Sequence, residues 1–313
     1  MLQFDKLKLV APLASTTNHD LSRFIVNSKQ DTILSYKYQQ KSPFSLIIEH
    51  DFTKGESVLE FTSKVLKEDY PKMISLETIE RCLTNINTLG LCKIDVEMFM
   101  QQSRVVKCDI TRDVVWTDFT SLHNVLSINV SNRSKWEITK YSNHGVVIDS
   151  KLKTKRLKNR LSIYRKDVEL KKKRNAQFLN SLNDPISLIS HFEHVVRFEL
   201  NVDKEEPIRT LLQIETNDLM SVLHSDANPI AEVFKKAIKT EPSLIPMHMK
   251  LKDLEKWALI QYCQNNDIEL ETLVRRTISK NTSVKQTMEL YRKLQNINLS
   301  NGIQPIDIYN LIM

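Results

Sequence analysis

The sequence predicts an α+β fold: a largely antiparallel sheet followed by a helical C-terminal part. Three observations carry it. Short runs of alternating apolar and polar residues rich in Val, Ile, Phe and Tyr fill the first two hundred positions. A helical period replaces them after about residue 205. The composition, 41% hydrophobic and 27% charged, is that of a folded globular chain.

The strand-like runs are FDKLKLVAP, ILSYKYQ, FSLIIEHDF, RVVKCDITRDV, LSINVSN, WEITKY, GVVIDSK, LSIYRKDV and VVRFELNV. Among them, Ser75–Gly90 reads as a helix, with Ser75 or a neighbour at its N-cap, Leu and Ile at helical spacing and Gly90 as its stop. Helical periods follow in PIRTLLQIETNDLMSVLH, NPIAEVFKKAIKT, KLKDLEKWALIQYCQ, ELETLVRRTIS and SVKQTMELYRKLQN, with Pro242 and Pro246 breaking the chain before the last of them. The expected division is residues 1–205 as an α+β unit carrying the chemistry and 206–313 as a helical region for recognition or dimerisation. The length of 313 residues allows one large core or two ordinary domains.

Composition excludes several functions. With four glycines and neither GxxxxGK[ST] nor GxGxxG, a P-loop or Rossmann nucleotide site is not expected, and ATP is not the expected fuel. Cys82, Cys92, Cys108 and Cys263 form no CxxC pair and have no His at zinc-ligand spacing, which points to reduced, buried thiols and a cytoplasmic setting. The N-terminal run MLQFDKLKLVAPLA is charged, unlike a signal peptide, and no stretch reaches membrane-spanning length. A net charge of +7 suits a polyanionic partner, although many basic proteins simply have solvated cationic faces.

Several strands place an acid or a tyrosine opposite an apolar row. In VVRFELNV, Val196, Phe198, Leu200 and Val202 point one way, Arg197 and Glu199 the other. Asp109 stands likewise between Cys108 and Ile110, Glu49 follows Leu46–Ile48, and Tyr164 lies between Ile163 and Arg165. If these strands are neighbours, Glu49, Asp109, Glu199 and Tyr164 converge on one polar face. Three carboxylates together demand a cation, and an all-oxygen set suits Mg²⁺ or Mn²⁺. Such an ion polarises a phosphodiester, and a tyrosine hydroxyl can attack it to form a covalent phosphotyrosyl intermediate. Lys166 could help hold the phosphate. Patterning alone equally fits polar residues on the solvated face of a sheet.

FSLIIEHDFTK, KCDITRDV, LSIYRKDVEL and HVVRFELNV occur in the order and rough spacing of the motifs of plasmid-type rolling-circle replication initiators, which the chain resembles over roughly residues 44 to 202. It also looks related to the replication nicking proteins of filamentous phages. By this resemblance Glu49, Asp109 and Glu199 are metal ligands, and Tyr164, Lys166 and Glu169 match a Y-x-K-x-x-E element that carries the nucleophilic tyrosine. The second motif departs from the family's: Lys107–Cys108 stand where an arginine is usual, and a later acid aligns only as Asp113. The run MHM at Met247–Met249 lacks one His of an HxH pair, which argues against the histidine-metal nicking enzymes.

The resemblance implies a bacterial initiator that nicks origin DNA, hairpin or single-stranded at the nick, with Mg or Mn as cofactor. It further implies a homodimer, with host helicase and polymerase as partners. Glu169, Lys166 and metal-bound water are all candidate bases for the tyrosine.

Between Lys151 and Arg174 stand twelve Lys or Arg against two acids, Asp167 and Glu169. Lys155, Arg156, Lys158, Arg160, Lys171, Lys172, Lys173 and Arg174 are the expected phosphate contacts; a lysine-protected strand edge is the other reading. Arg275, Arg276, Lys280 and Lys285 are candidates for base contacts from a helix. Trp116, Trp136 and Trp257 are expected in the core. A non-catalytic, basic origin-binding protein is the competing function.

Overall fold

The computed structural model describes residues 2–17, 20–117, 119, 122, 126, 135–141, 144–151, 160–239, 262 and 305–313. Its centre is a ten-stranded antiparallel sheet, in keeping with the α+β expectation. In chain order the strands are β1 (Gln3–Pro12), the short β2 (Thr16–Thr17), β3 (Ile25–Lys29), β4 (Thr32–Gln40), β5 (Leu46–Asp51) and β6 (Glu56–Thr62). Then follow β7 (Lys93–Ile94), β8 (Arg104–Val115), β9 (Trp136–Tyr141), β10 (Gly145–Ser150), β11 (Arg160–Arg165) and β12 (Val195–Val202). The spatial order is β3-β4-β5-β6-β1-β8-β12-β11-β10-β9, while β2 and β7 form a separate two-stranded sheet.

Period-2 patterning fixes which face each side chain takes. Leu7, Leu9, Leu46, Ile48, Leu59, Phe61, Cys108, Ile110, Leu161, Ile163, Phe198 and Leu200 are buried in the main core. Helices cover that face. The first, α1 (Ile79–Asn87), buries Ile79, Cys82, Leu83 and Ile86 at helical spacing. Gly90, at φ +65, adopts the left-handed turn expected of a stop signal beyond it. Helix α2 (Val96–Gln102) is capped by Asp95, whose side chain accepts from the Met98 amide.

A compact excursion joins β11 to β12: α3 (Lys166–Leu170), α4 (Ala176–Asn180) and α5 (Pro185–His191). It has a small core of its own, in which Leu170, Phe178, Leu188 and Phe192 surround Tyr70 and Met73. Beyond β12, α6 (Glu205–Leu212), α7 (Leu219–His224) and α8 (Pro229–Ala237) pack on the sheet. The terminal α9 (Pro305–Ile312) packs on α8 and β8. The described parts of 206–313 therefore share the sheet's core: Ile208, Phe234, Ile308 and Ile312 belong to the same cluster as Phe4 and Leu7. Residues 240–261 and 263–304, with Cys263, Trp257 and the candidate base-reading cations, lie outside the described residues. Trp116 and Trp136 pack against the core as expected, and Cys82, Cys92 and Cys108 are buried and unbridged.

Candidate active site

The candidate site lies on the polar face across β8, β12 and β11. Antiparallel register sets Tyr164 opposite Arg197, Ser162 opposite Glu199, Glu199 opposite Thr111 and Asn201 opposite Asp109. The Tyr164 hydroxyl donates to Glu199 Oε2 at 2.6 Å, and the Asn201 amide donates to Asp109 Oδ1 at 2.5 Å. Tyrosine, Glu199 and Asp109 thus form a diagonal across three adjacent strands, as the sequence pattern suggests.

Glu49 stands apart from this group. It lies on β5 and pairs with Lys37 at 3.2 Å. The register row through Asp109 reaches β6 at Thr62, with Lys6 between them on β1. From Asp109, Glu49 is three strands across and four residues along, about 20 Å away at ordinary sheet spacings. It does not join Asp109 and Glu199 in one ligand set, because β6 and β1 intervene in the sheet order.

Asp5 takes a place beside the site that Glu49 does not. The register of β1 against β8 shifts between Phe4 and Lys6, so Asp5 bulges and joins Lys6 on the polar face while Phe4 and Leu7 stay buried. The sequence signal is the break in alternation within FDKLKLV, where Phe4 and Leu7 are three apart. Asp5 Oδ1 accepts from Ser63 Oγ at 2.9 Å, Tyr70 OH at 3.2 Å and Arg197 Nη1 at 2.9 Å. Arg197, 0% exposed, also grips Asp113 with two bonds of 2.7 and 2.8 Å. It is a buried anchor below the tyrosine. Asn201 and Arg197 are further residues the sequence reading left without a role, although both share the face of Glu199 in VVRFELNV.

Charge is unevenly balanced. Burial opposes ionisation of Asp5, but Arg197, Lys166 and Lys64 outweigh it and hold the carboxyl below its usual range. At Asp109 and Glu199 the compensation is weaker: Asn201 and Lys6 favour the Asp109 carboxylate, and Tyr164, Lys166 and Arg197 that of Glu199, without offsetting burial and the neighbouring acids. Burial and the Glu199 charge push Asp109 up to about 7, while burial and the Asp5 charge raise Glu199. Burial and the Glu199 charge also push the Tyr164 hydroxyl well above its ordinary value.

Lys166, 2% exposed, donates to Glu169 Oε2 at 2.7 Å and lies over the rings of Tyr70 and Tyr164, 5.2 and 5.7 Å from their centroids. Burial and Arg197 work against its charge, yet Tyr70, Glu169 and Asp5 hold its pKa above normal. Glu169 is enclosed by Lys166, Arg174 and Asn175. Burial opposes its charge, but these partners hold it far below the usual carboxylate range. Of the groups named as candidate bases, neither Lys166 nor Glu169 touches the tyrosine hydroxyl; the acceptor there is Glu199.

The site opens into a cleft of about 840 Å³ lined by Tyr164, Glu199, Asn201, Lys41, Arg160, Lys172 and Arg174. Among the predicted phosphate contacts, Arg160, Lys172 and Arg174 therefore line the cleft. Lys171 and Lys173 are exposed on the adjoining turn, and Lys155, Arg156 and Lys158 lie outside the described residues.

Among the described residues no three His, Cys, Asp or Glu side chains are gathered closely enough to hold an ion by themselves. Buried Asp109 and half-buried Glu199, whose neighbouring cations do not offset burial and the nearby acids, fit Mg²⁺ or Mn²⁺ with Asn201 alongside, substrate oxygens and water completing the shell. No helix among the described residues is long and apolar enough to cross a membrane. No protein-family model matches the chain, and no curated protein matches its sequence.

Proposed function

We propose that this chain is a DNA nicking and joining enzyme that starts rolling-circle replication, with Tyr164 as its nucleophile. The observation that carries the reading is the 2.6 Å bond from Tyr164 to Glu199 beside Asp109, on the floor of a cation-rimmed cleft. The ordered resemblance of four motifs to plasmid-type and filamentous-phage initiators supports it further. Glu199 takes the hydroxyl proton, and the phenolate oxygen attacks the scissile phosphorus. The bond from phosphorus to the 3′ oxygen breaks, leaving a 5′-phosphotyrosyl link and a 3′ oxygen that Glu199 can protonate. Attack by a 3′-hydroxyl on that link reverses the step and rejoins the strand. Lys166, fixed by Glu169 over the tyrosine ring, holds positive charge next to the reacting centre. Arg160, Lys172 and Arg174 hold the backbone in a salt-sensitive way. A divalent ion, held by Asp109, Glu199 and Asn201, would supply Lewis-acid polarisation of the phosphate.

The test is adduct formation between the full chain and single-stranded origin DNA with Mn²⁺. Tyr164→Phe should form no adduct, and Glu199→Gln should slow it by a factor on the order of 10²–10⁴. Undiminished adduct in Tyr164→Phe would place the nucleophile elsewhere and overturn the assignment of Tyr164; binding that survives EDTA with no adduct in the unaltered chain would favour a non-catalytic origin-binding protein.

A further inference from the structure

The ten strands divide into two units of the same build. In the first, β1 is followed by the meander β3-β4-β5-β6, whose last strand returns beside β1; in the second, β8 is followed by β9-β10-β11-β12, whose last strand returns beside β8. The units meet where β1 and β8 pair antiparallel.

Register carries the match to single residues. Leu46 faces Phe61 as Leu161 faces Leu200, and Glu49 faces Val58 as Tyr164 faces Arg197. Lys6 faces Thr62 as Asp109 faces Asn201, and Lys6 and Asp109 face each other, which puts an approximate dyad through that pair. The sequences agree: Leu46-Ile47-Ile48-Glu49 overlies Leu161-Ser162-Ile163-Tyr164, and Leu59-Glu60-Phe61 overlies Phe198-Glu199-Leu200. The core-facing rows coincide: Leu46 and Ile48 overlie Leu161 and Ile163, and Ser57, Leu59 and Phe61 overlie Val196, Phe198 and Leu200, all buried.

We propose that the sheet is an internal duplication and that its N-terminal unit is a nucleophile-less copy of the tyrosine site, with Glu49 in the place of Tyr164, Glu60 in that of Glu199 and Lys6 in that of Asp109. The substitution of Lys6 for an acid changes the chemistry. Glu60 is ion-paired to Lys6, with Lys8 at 3.9 Å, so an internal ammonium occupies the role that a divalent cation would take in the other half. Glu49 is paired to Lys37 in the same manner. The copies also differ in their coverings: β11 and β12 are joined by the 166–194 excursion that supplies Lys166, Glu169 and Arg174, whereas residues 52–55 alone join β5 to β6. Likeness of Glu49 to an acid of the initiator motifs thus reflects its position in a repeated strand, not a ligand role.

The inference rests on the proposed function only in calling Tyr164 a nucleophile. Counting Mn²⁺ bound to the full chain by electron paramagnetic resonance tests it whether or not any adduct forms. Glu49→Gln should leave ion binding and adduct yield within about twofold of the unaltered chain; a loss of tenfold or more, the size expected for a metal ligand or its support, overturns the assignment of Glu49. Lys6→Asp, which recreates a carboxylate pair with Glu60, should bind one more Mn²⁺ per chain than the unaltered protein. That added ion should persist with Glu199→Gln and vanish with Glu60→Gln. A Lys6→Asp chain that is folded by circular dichroism but binds no added ion overturns the copy. If Lys6→Asp fails to fold, Lys6→Gln replaces it and should show the added ion at weaker affinity; a folded Lys6→Gln with none is equally decisive. Failure of the Tyr164 reading shows separately, as an absent adduct with these ion counts intact.

Discussion

At the residue scale, Glu169, five residues beyond Tyr164, does not accept from the tyrosine hydroxyl, which bonds Glu199. Its role is to hold Lys166, whose side chain is 3% exposed and has Glu169 as its ion-pair partner. Removing one member of a buried pair leaves the other charge without compensation, so Glu169→Gln should destabilise the fold at neutral pH by about 3 kcal/mol. Its pKa lies below the unfolded value, so its contribution is present above that value, about 4.3, and is lost as pH falls through and below it. Denaturant titrations of both chains at pH 7 and near pH 3 should show the deficit shrinking in acid. An unchanged deficit would mean that Glu169 acts by packing alone. Pairing of Lys166 with Glu169 was readable as an i,i+3 spacing in YRKDVEL; that both would be buried beneath Tyr164 was not, because Tyr70 and Phe178 come from other segments.

At the scale of elements, the 166–194 excursion is tied down by its own small core. Phe178 meets Tyr70 edge-on, with ring centroids 5.4 Å apart, and Lys64 lies over the Phe178 ring. Phe178→Ala should cost about 3–4 kcal/mol. The loss should fall on this unit more than on the sheet, so that hydrogen exchange accelerates in residues 166–194 while the core strands keep their protection. Uniform loss of protection would show that the excursion and the sheet open together. The alternating runs made most strands legible, since half-buried strands show period 2 directly. The bulge at Asp5 was harder to read. Its only local mark is the spacing of Phe4 and Leu7, and its consequence depends on Arg197, which is 192 residues away.

At the scale of the whole molecule, the incompletely compensated Asp109–Glu199 pair is a standing cost that a bound cation would relieve. Adding millimolar Mn²⁺ should raise the melting temperature of the unaltered chain by a few degrees, as binding at about a hundredfold excess over Kd is worth about 2.7 kcal/mol. Asp109→Asn should melt higher than the unaltered chain in EDTA and gain little from Mn²⁺. An equal ion-induced rise in both chains would mean the ion binds elsewhere.

By itself the sequence determined the α+β class, the strands that bear Tyr164, Asp109 and Glu199, and the face each residue takes, because alternation is a local property of the chain. Tertiary structure decided which strands are neighbours. It excluded Glu49 from the site, brought in Asp5 and Asn201, and made Glu199 the partner of Tyr164. Strand order is set by long-range pairing in a sheet whose first and last strands are more than a hundred residues apart in sequence, and no local pattern encodes it.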